Sequence, residues 1–498
     1  MRRMLGALVV LAGVLCASPQ AGAQGILRIA VGSTLNNLDP AKTTIGDEYI
    51  YVHLVFNGLT RIESDLSVKP DLAESWTASD DLKTWTFKLR PGVKWHHGRA
   101  LDAGDVVATM ERILDPKTGS RARANIAMVT KIEAVDPLTV RFTLNIPYAG
   151  FQDVFGERQL RIVPKDAIDK LSTAPIGTGP FKFKSWAPGD RMELVKNSDY
   201  FEKGLPKLDG VTMRIISETA ARLAAIESGA IDLLWNLPYE AVQKYRSHPN
   251  VRTDGTATAT WDGVILNNEK PPFNNVKVRQ ALALTIDKEA LVEICLFGQG
   301  AVTHSPIPPS HPYFNKSLAV KKPDIAKAKK LLEEAGLKDG FDITLIVPQE
   351  REARVRLGVA VRDMAKAAGI RINVERVPFA TYAANVAGKA PMYVDGYFAR
   401  PTIDTALYPF YHSTGSWNRQ LWLYKDQRID ELLDTARKTQ DETKRKAIFA
   451  EFQARVDEMV TSIIPYSALH VNAVRKNVEG FKSTPMLWLE LKAVSLKP

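Results

Sequence analysis

The residue types that most often carry chemistry are few and scattered in this chain. It holds eight histidines and two cysteines in 498 residues. His96 and His97 are adjacent, and on a strand neighbouring side chains face opposite sides, a poor arrangement for sharing a metal. His304 and His311 flank a proline-rich loop, where a polar loop role suits them better than ligation. The sequence lacks H-E-x-x-H, a Walker loop, G-x-G-x-x-G and a G-x-S-x-G elbow. Lys117-Thr118-Gly119 matches one box of the penicillin-binding enzymes. No serine has a lysine three residues on, so that box has no nucleophile to serve. Neither a metal site nor a cofactor is expected. Carboxylate pairs leave no mark on such a search, but the weight moves from catalysis to binding.

The elements that would position a binding site are those of an ordinary globular chain. Hydrophobic residues make up 45% and charged residues 24%, enough for a sizeable core and two or three domains. Arg2 and Arg3, the apolar stretch from Leu5 to Cys16 and Ala21-Gly22-Ala23 have the layout of a cleavable signal peptide over 1–23. Bulky Val14 and Leu15 ahead of Cys16 argue against lipidation. Cleavage leaves Cys295 as the single thiol, so an intrachain disulfide is not expected. Basic residues between Lys316 and Lys338 are interleaved with Glu333, Glu334 and Asp339, which reads as a solvated helix face and not a nucleic-acid patch.

Strands and helices alternate without a low-complexity linker. Strands are expected at Leu27 to Val31, Trp85 to Leu89 and Val140 to Leu144, and another begins at Phe181 after the Gly- and Pro-rich stretch 175–180. Asp324 should cap a helix with apolar positions Ile325, Ala328, Leu331, Leu332 and Ala335 on one face, stopped by Gly336. A strand Phe341 to Val347, a helix over roughly 354–368 and a strand Ile370 to Val377 form a βαβ unit. Ile448, Phe449, Phe452, Val456, Met459 and Val460 mark one more amphipathic helix. The class is α/β with more than one sheet.

Four blocks, in order, resemble the extracytoplasmic solute-binding proteins of peptide- and nickel-type ABC importers (solute-binding protein family 5). They are Asp71-Leu-Ala-Glu-Ser-Trp76 with Trp85-Thr-Phe-Lys-Leu-Arg90, Gly92-Val-Lys-Trp-His96 and Leu101-Asp-Ala-Gly-Asp105; Gly177-Thr-Gly-Pro-Phe181 to Asn197-Ser-Asp-Tyr-Phe201; Pro271-Pro-Phe-Asn-Asn275 with Val278-Arg-Gln-Ala-Leu282 and Ile286-Asp287; and Ala326-Lys-Ala-Lys-Lys-Leu-Leu332 to Gly336. The resemblance implies a two-lobed periplasmic-binding-protein fold (type II, cluster C) with an extra subdomain inserted in lobe one. Lobe one would comprise 24–57, 172–262 and 473–498, the insert 58–171 and lobe two 263–472. It implies a monomeric periplasmic protein that closes on a small organic solute, peptide-like or anionic (a modified peptide or an opine, for example). That solute would then pass to a membrane permease driven by a cytoplasmic ATPase, with no bond made or broken. An exported hydrolase on similar solutes, or a ligand-presenting receptor or holdase, are the alternatives.

Peptide-binding members carry a Gly-Trp segment in lobe two with an Asp three residues beyond the Trp, which pairs with the peptide ammonium. The matching stretch is Gly396-Tyr-Phe-Ala-Arg-Pro-Thr-Ile-Asp404: Tyr397 replaces the Trp and Arg400 the Asp. A guanidinium donates a planar fork suited to carboxylate or phosphate, so an anionic solute is expected. The competing role for Arg400 is a salt bridge to Asp395 or Asp404 that fixes its loop. Arg351 is near the position from which some members clamp a ligand carboxylate, although a surface arginine at a helix start fits it as well. Tyr397, Phe398 and Trp261 could wall the pocket, or Trp261 could belong to the core at a crossing strand. Ser33, Thr34 and Leu35 follow the first strand, where members offer backbone to ligand. His412 and Asn418, in a Gly- and Ser-containing loop, could reach the cleft rim, and His412 could support nickel binding.

Overall fold

A computed structural model describes residues 25–33, 35–43, 46–400 and 402–497. Segment 1–23, read above as a signal peptide, and Thr34 lie outside the described residues. The described residues build two large sheets, one four-stranded sheet and two two-stranded ones, Thr60–Ile62 with Val68–Pro70 and Val478–Glu479 with Ser495–Leu496. The first runs, in spatial order, Val251–Ala257, Tyr466–Arg475, Leu233–Leu234, Ile26–Val31, Gly210–Ile215, Arg191–Lys196 and Phe181–Ala187, with Gly300–Val302 added on Tyr466–Arg475. Its opening strand is parallel to Gly210–Ile215 and Leu233–Leu234, and the other pairings are antiparallel. The second sheet runs Ile370–Val377, Phe341–Pro348, Met392–Tyr397, Trp261–Leu266 and Ser462–Ile463. The third is the antiparallel set Ala73–Ala78, Thr84–Leu89, Thr139–Leu144 and Val129–Asp136.

Each of the three larger sheets has its own apolar interior. Leu27, Ile29, Leu194 and Met213 fill the first, Val264, Leu282, Leu345 and Val361 the second. In the third, Phe87 meets Phe142 and Phe155 edge-on at 5.7 and 5.0 Å between ring centroids, an arrangement favoured by the ring quadrupoles. The elements anticipated from local patterns are present. Asp324 caps Ile325–Glu334 by accepting from the Lys327 amide at 2.9 Å. The unit Phe341–Pro348, Glu352–Ala365 and Ile370–Val377 is βαβ with parallel strands. The last long helix spans Glu442–Met459.

The chain passes between the two large sheets twice. One passage is at 258–260, from Val251–Ala257 to Trp261–Leu266, and the other at 464–465, from Ser462–Ile463 to Tyr466–Arg475. The two passages are laced together. Thr258 Oγ1 donates to Ala468 O at 2.8 Å, and the Ala468 amide donates to Thr260 O at 2.8 Å. Lobes joined this way can hinge while their separate cores stay intact.

The sequence blocks turn out to be scaffold. The His96 amide donates to Gly177 O at 2.9 Å, the Gly177 amide donates to His96 Nδ1 at 3.2 Å, and His96 Nε2 is 3.0 Å from Gly179 O. Asn197 Nδ2 donates to the same Gly179 oxygen at 2.9 Å. These bonds assign the neutral tautomer with its proton on Nε2. Burial lowers the pKa of His96 to about 4. Both glycines are required for closeness: a Cβ at Gly177 would lie 1.9 Å from Val55 O.

Two outcomes follow. Gly177→Ala should destabilise the protein severely, because the obstacle is backbone, and thermal unfolding would register it. A histidine depressed from 6.5 to about 4 stabilises the fold above pH 6.5, and that stability is lost as pH falls through 4. His96→Gln should therefore flatten the fall in Tm between pH 6.5 and 4, and an unchanged slope would contradict this.

Candidate functional site

A narrow cavity, with about 20 Å3 open to a water-sized sphere, lies between the lobes beside the crossing. Ala257 at the end of its strand and Thr258 and Ala259 of the crossing form one wall, with Leu66 from the turn between Thr60–Ile62 and Val68–Pro70 and Met486 of the C-terminal segment. The second lobe contributes Ile307 and Pro308, then Ser310 and His311, and then Arg400, Thr402, Ile403 and Ala406. The lining is largely apolar with a few polar groups, the usual make-up of a small-molecule site.

Most hydroxyls there are already engaged. Thr258 serves the crossing, and Thr402 Oγ1 accepts from the Thr405 amide at 3.2 Å, capping Ile403–Tyr411. His311 Nδ1 accepts from the Tyr313 amide at 3.1 Å, which leaves Nε2–H as donor in the neutral ring. Burial lowers its pKa to about 4, so it adds no charge at neutral pH.

Arg400 sits in the segment that leaves strand Met392–Tyr397 and enters helix Ile403–Tyr411. That segment is pinned from two sides at Ala399. Its amide donates to Thr260 Oγ1 at 3.2 Å, and its carbonyl accepts from Arg158 Nη2 at 2.8 Å. Both carboxylates that could have braced Arg400 are taken. Asp395 accepts from Arg354 Nη1 at 2.7 Å, and Asp262 accepts from Arg354 Nε at 2.8 Å. Asp404 receives Arg437 through two bonds of 2.7 and 2.8 Å. No hydrogen bond or ion pair joins the Arg400 guanidinium to another described residue. Burial, and then the neighbouring Arg158, push its pKa down, while Glu157, Tyr49 and Tyr397 oppose. It stays a cation at neutral pH.

The other anticipated residues are placed differently. Tyr397 is half-buried under the segment, packed on Trp261 at 5.5 Å, Phe410 at 4.9 Å and Trp417 at 5.2 Å. Several expectations need correction. Trp261 is buried in the second lobe's aromatic core against Trp422, so it does not wall the cavity. Leu35 is buried in the first lobe's core. Phe398 is 48% exposed and is absent from the cavity lining. Asn418 is buried and fully used: its amide donates to Tyr411 O, His412 O and Tyr424 O, and its oxygen accepts from the Tyr424 amide. His412 is buried, stacked on Tyr408 at 4.3 Å and bonded through Nδ1 to Thr414. Among the described residues no group of three or more His, Cys, Asp or Glu could hold a metal. Arg351 is exposed beside Phe379 (5.3 Å), and Arg354, one helical turn on, makes the ionic contacts. Ser33 is exposed at the end of the first strand and is absent from the cavity lining.

Sequence reasoning passed over Glu157 and Arg158. Arg158 is 2% exposed, lies 4.2 Å from the Tyr49 ring centre and reaches from the inserted region to the Arg400 segment. The available signal was a charged run, Glu157-Arg-Gln-Leu-Arg161, set between apolar Phe155 and Ile162-Val163.

Two lobes, two crossing passages and a largely apolar interlobe cavity at which Arg400 has no ionic partner among the described residues define a solute-binding clamp. Residues 67–418 match the family described as bacterial extracellular solute-binding proteins, family 5. The chain belongs to that family and is a substrate-binding component of an ABC importer. It is 29% identical over 493 residues to the glutathione-binding protein GsiB of Salmonella paratyphi A (strain ATCC 9150 / SARB42), with 95% of each chain covered. The PBP AgaA from A. tumefacien R10, solved with agropinic acid, superposes with a TM-score of 0.82 at 27% identity, covering 95% of this chain and 99% of that one. DppA from Helicobacter pylori, an ABC transporter-associated periplasmic binding protein solved with peptide STSA, gives 0.82 at 26% identity, covering 95% and 98%.

The pairing pattern separates two arginines by stability. Arg354→Ala strands Asp262 and Asp395 without their partner and should cost about 3–5 kcal/mol, as loss of one member of a buried pair does. Arg400→Ala removes a cation that has no partner and should change stability by no more than about 0.5 kcal/mol, or raise it. Urea unfolding of both variants checks this. A large loss in Arg400→Ala would mean that the residue braces the fold.

Proposed function

We propose that this protein captures a small anionic organic solute in the periplasm and that Arg400 receives the anion. It works as a monomer that closes on its ligand, presents the closed form to the membrane permease and makes or breaks no bond. The single observation that carries the reading is the free guanidinium at the cavity wall, left without a carboxylate because Arg354 and Arg437 hold Asp395, Asp262 and Asp404. A cation desolvated at a ligand cavity asks for a counter-charge, and its flat fork matches a carboxylate. The relatives agree with a compact acidic solute, since one is named for glutathione and another was solved with agropinic acid. We take residues 1–23 as the export signal, and the lobe divisions as 24–57, 172–262 and 473–498 against 263–472, with 58–171 inserted.

Calorimetry with reduced glutathione and agropinic acid should show saturable binding, and small-angle scattering should show a smaller radius of gyration in the bound form. Arg400→Ala should weaken binding by about 2–5 kcal/mol and Arg400→Lys should also lose affinity, since an ammonium cannot reproduce the fork. Wild-type affinity in folded Arg400→Ala would sink the anion assignment, and hydrolysis of either solute would sink the transport reading.

A further inference from the structure

The stretch of cavity wall from Arg400 to Ile403 is held at both ends by contacts that lead to the inserted region. At one end Arg158 Nη2 donates to Ala399 O at 2.8 Å. At the other, Asp404 in the first turn of helix Ile403–Tyr411 is gripped by Arg437 through bonds of 2.7 and 2.8 Å. Arg437 lies in the last turn of helix Gln427–Lys438. The last four carbonyls of a helix have no partner inside it, and the Arg437 carbonyl accepts from the Ala149 amide at 2.6 Å. The Arg437 guanidinium stands over the Tyr148 ring at 5.4 Å.

Tyr148-Ala149-Gly150 follows strand Thr139–Leu144 and leads into the short helix Phe151–Val154. Tyr148 is buried between two partners. It meets Phe151 at 6.3 Å in the aromatic interior of the four-stranded sheet, and it meets Arg437 across the lobe boundary. A Cβ at Gly150 would lie 3.3 Å from Asp153 Oδ2 and 3.9 Å from Arg445 Nη2, so the two groups flank one stretch of backbone. Arg445 belongs to helix Glu442–Met459 of the second lobe. Burial raises the Asp153 pKa to about 7, and the Arg445 charge opposes that rise. These contacts are between the inserted region and the second lobe, so they can part as the lobes hinge without opening either core.

We propose that this turn is a latch: Tyr148 and Ala149 on one side, with Arg437 and Arg445 on the other, hold the lobes together and set the closed fraction of the protein. The inference rests on the two-lobed fold and does not need the anion assignment at Arg400. Because Arg437 also holds Asp404, engaging the latch fixes the helix that carries Ile403 and Ala406 of the cavity wall. Tyr148 is then a positioning residue that touches no solute. Apparent affinity scales with the fraction of protein in the binding-competent form, so the latch tunes affinity from outside the cavity.

Spin labels on Lys117→Cys, beside the four-stranded sheet, and on Lys330→Cys, in the second lobe, would read the separation of the two sides, since both positions are exposed and the native Cys295 is buried. Double electron–electron resonance at pH 8, without added solute, should show a short-distance population in the otherwise wild-type protein. Tyr148→Ala and Arg445→Gln should each lower the ratio of short to long distances by roughly three- to tenfold, the range of one cation–π or ionic contact. Arg445→Gln alters no apolar interior residue, so it reports even if Tyr148→Ala loosens the sheet. Lys444→Gln, the same loss of charge at an exposed neighbouring position, should leave the ratio unchanged. An unchanged ratio in Arg445→Gln, an equal fall in Lys444→Gln, or only the long distance in the wild type would overturn the latch. None of these results bears on the anion assignment, which is tested by variants of Arg400.

Discussion

The site depends on how charges are partitioned around one strand end. Three carboxylates, Asp262, Asp395 and Asp404, lie close in space or sequence to Arg400, and none is left for it. Arg354 draws the first two together and also donates to Gly396 O at 2.8 Å, which fastens the end of strand Met392–Tyr397 to the start of Trp261–Leu266. Arg437 holds Asp404 in a bidentate grip and stacks on Tyr408 at 3.1 Å. Paired this way, the acids brace the loop on both flanks, and the arginine between them is positioned by backbone contacts alone. Had any of the three carboxylates been free at close range, Coulomb attraction would have consumed the guanidinium.

The loop is therefore held at Ala399 and not at Arg400. Thr260 belongs to the first crossing and Arg158 to the inserted region, so the two bonds on Ala399 come from the hinge and from the opposing lobe. Any change in the angle between lobes alters the second bond while the first remains with the hinge. The Arg400 backbone is thus held from both lobes, and on the proposed reading a ligand anion on its side chain would act on an element that the angle between lobes moves. That is the differential contact a ligand needs if it is to shift an open–closed equilibrium.

Local signals were enough for the elements. Asp324 before an amphipathic run and Gly336 after it gave a helix, because a cap and a stop act within one turn. The alternation in Trp85 to Leu89 and Val140 to Leu144 gave strands of the small sheet for the same reason. Arg400 stood out only through the resemblance, as a departure from a pattern, and what makes it free could not be read: Arg354 and Arg437 are 46 and 37 residues away, and the Arg158 contact spans 241 positions. Asn418 and His412 misled because a Gly- and Ser-containing loop resembles a surface rim. Here the loop folds inward, with Asn418 bonding the carbonyls of Tyr411, His412 and Tyr424. Polar side chains in loops carry no sequence mark that tells a ligand contact from such internal satisfaction.

The replacement of a carboxylate by a guanidinium at the ammonium position does more than invert one contact. Arg158 is paired to Glu157, and among the described residues Arg400 has no ionic partner, so its own charge is left for an arriving ligand. A peptide ammonium brought about 4 Å from Arg400 would meet repulsion of roughly 4 kcal/mol at an effective dielectric of 20, enough to offset a good hydrogen bond elsewhere in the cleft. A carboxylate meets the same magnitude with the opposite sign. On the proposed reading of Arg400, selection against ordinary peptides needs no steric gate at this position, because the unpaired cation would supply both the attraction and the exclusion. The largely apolar walls strengthen both effects by keeping water away from the charge as the lobes close.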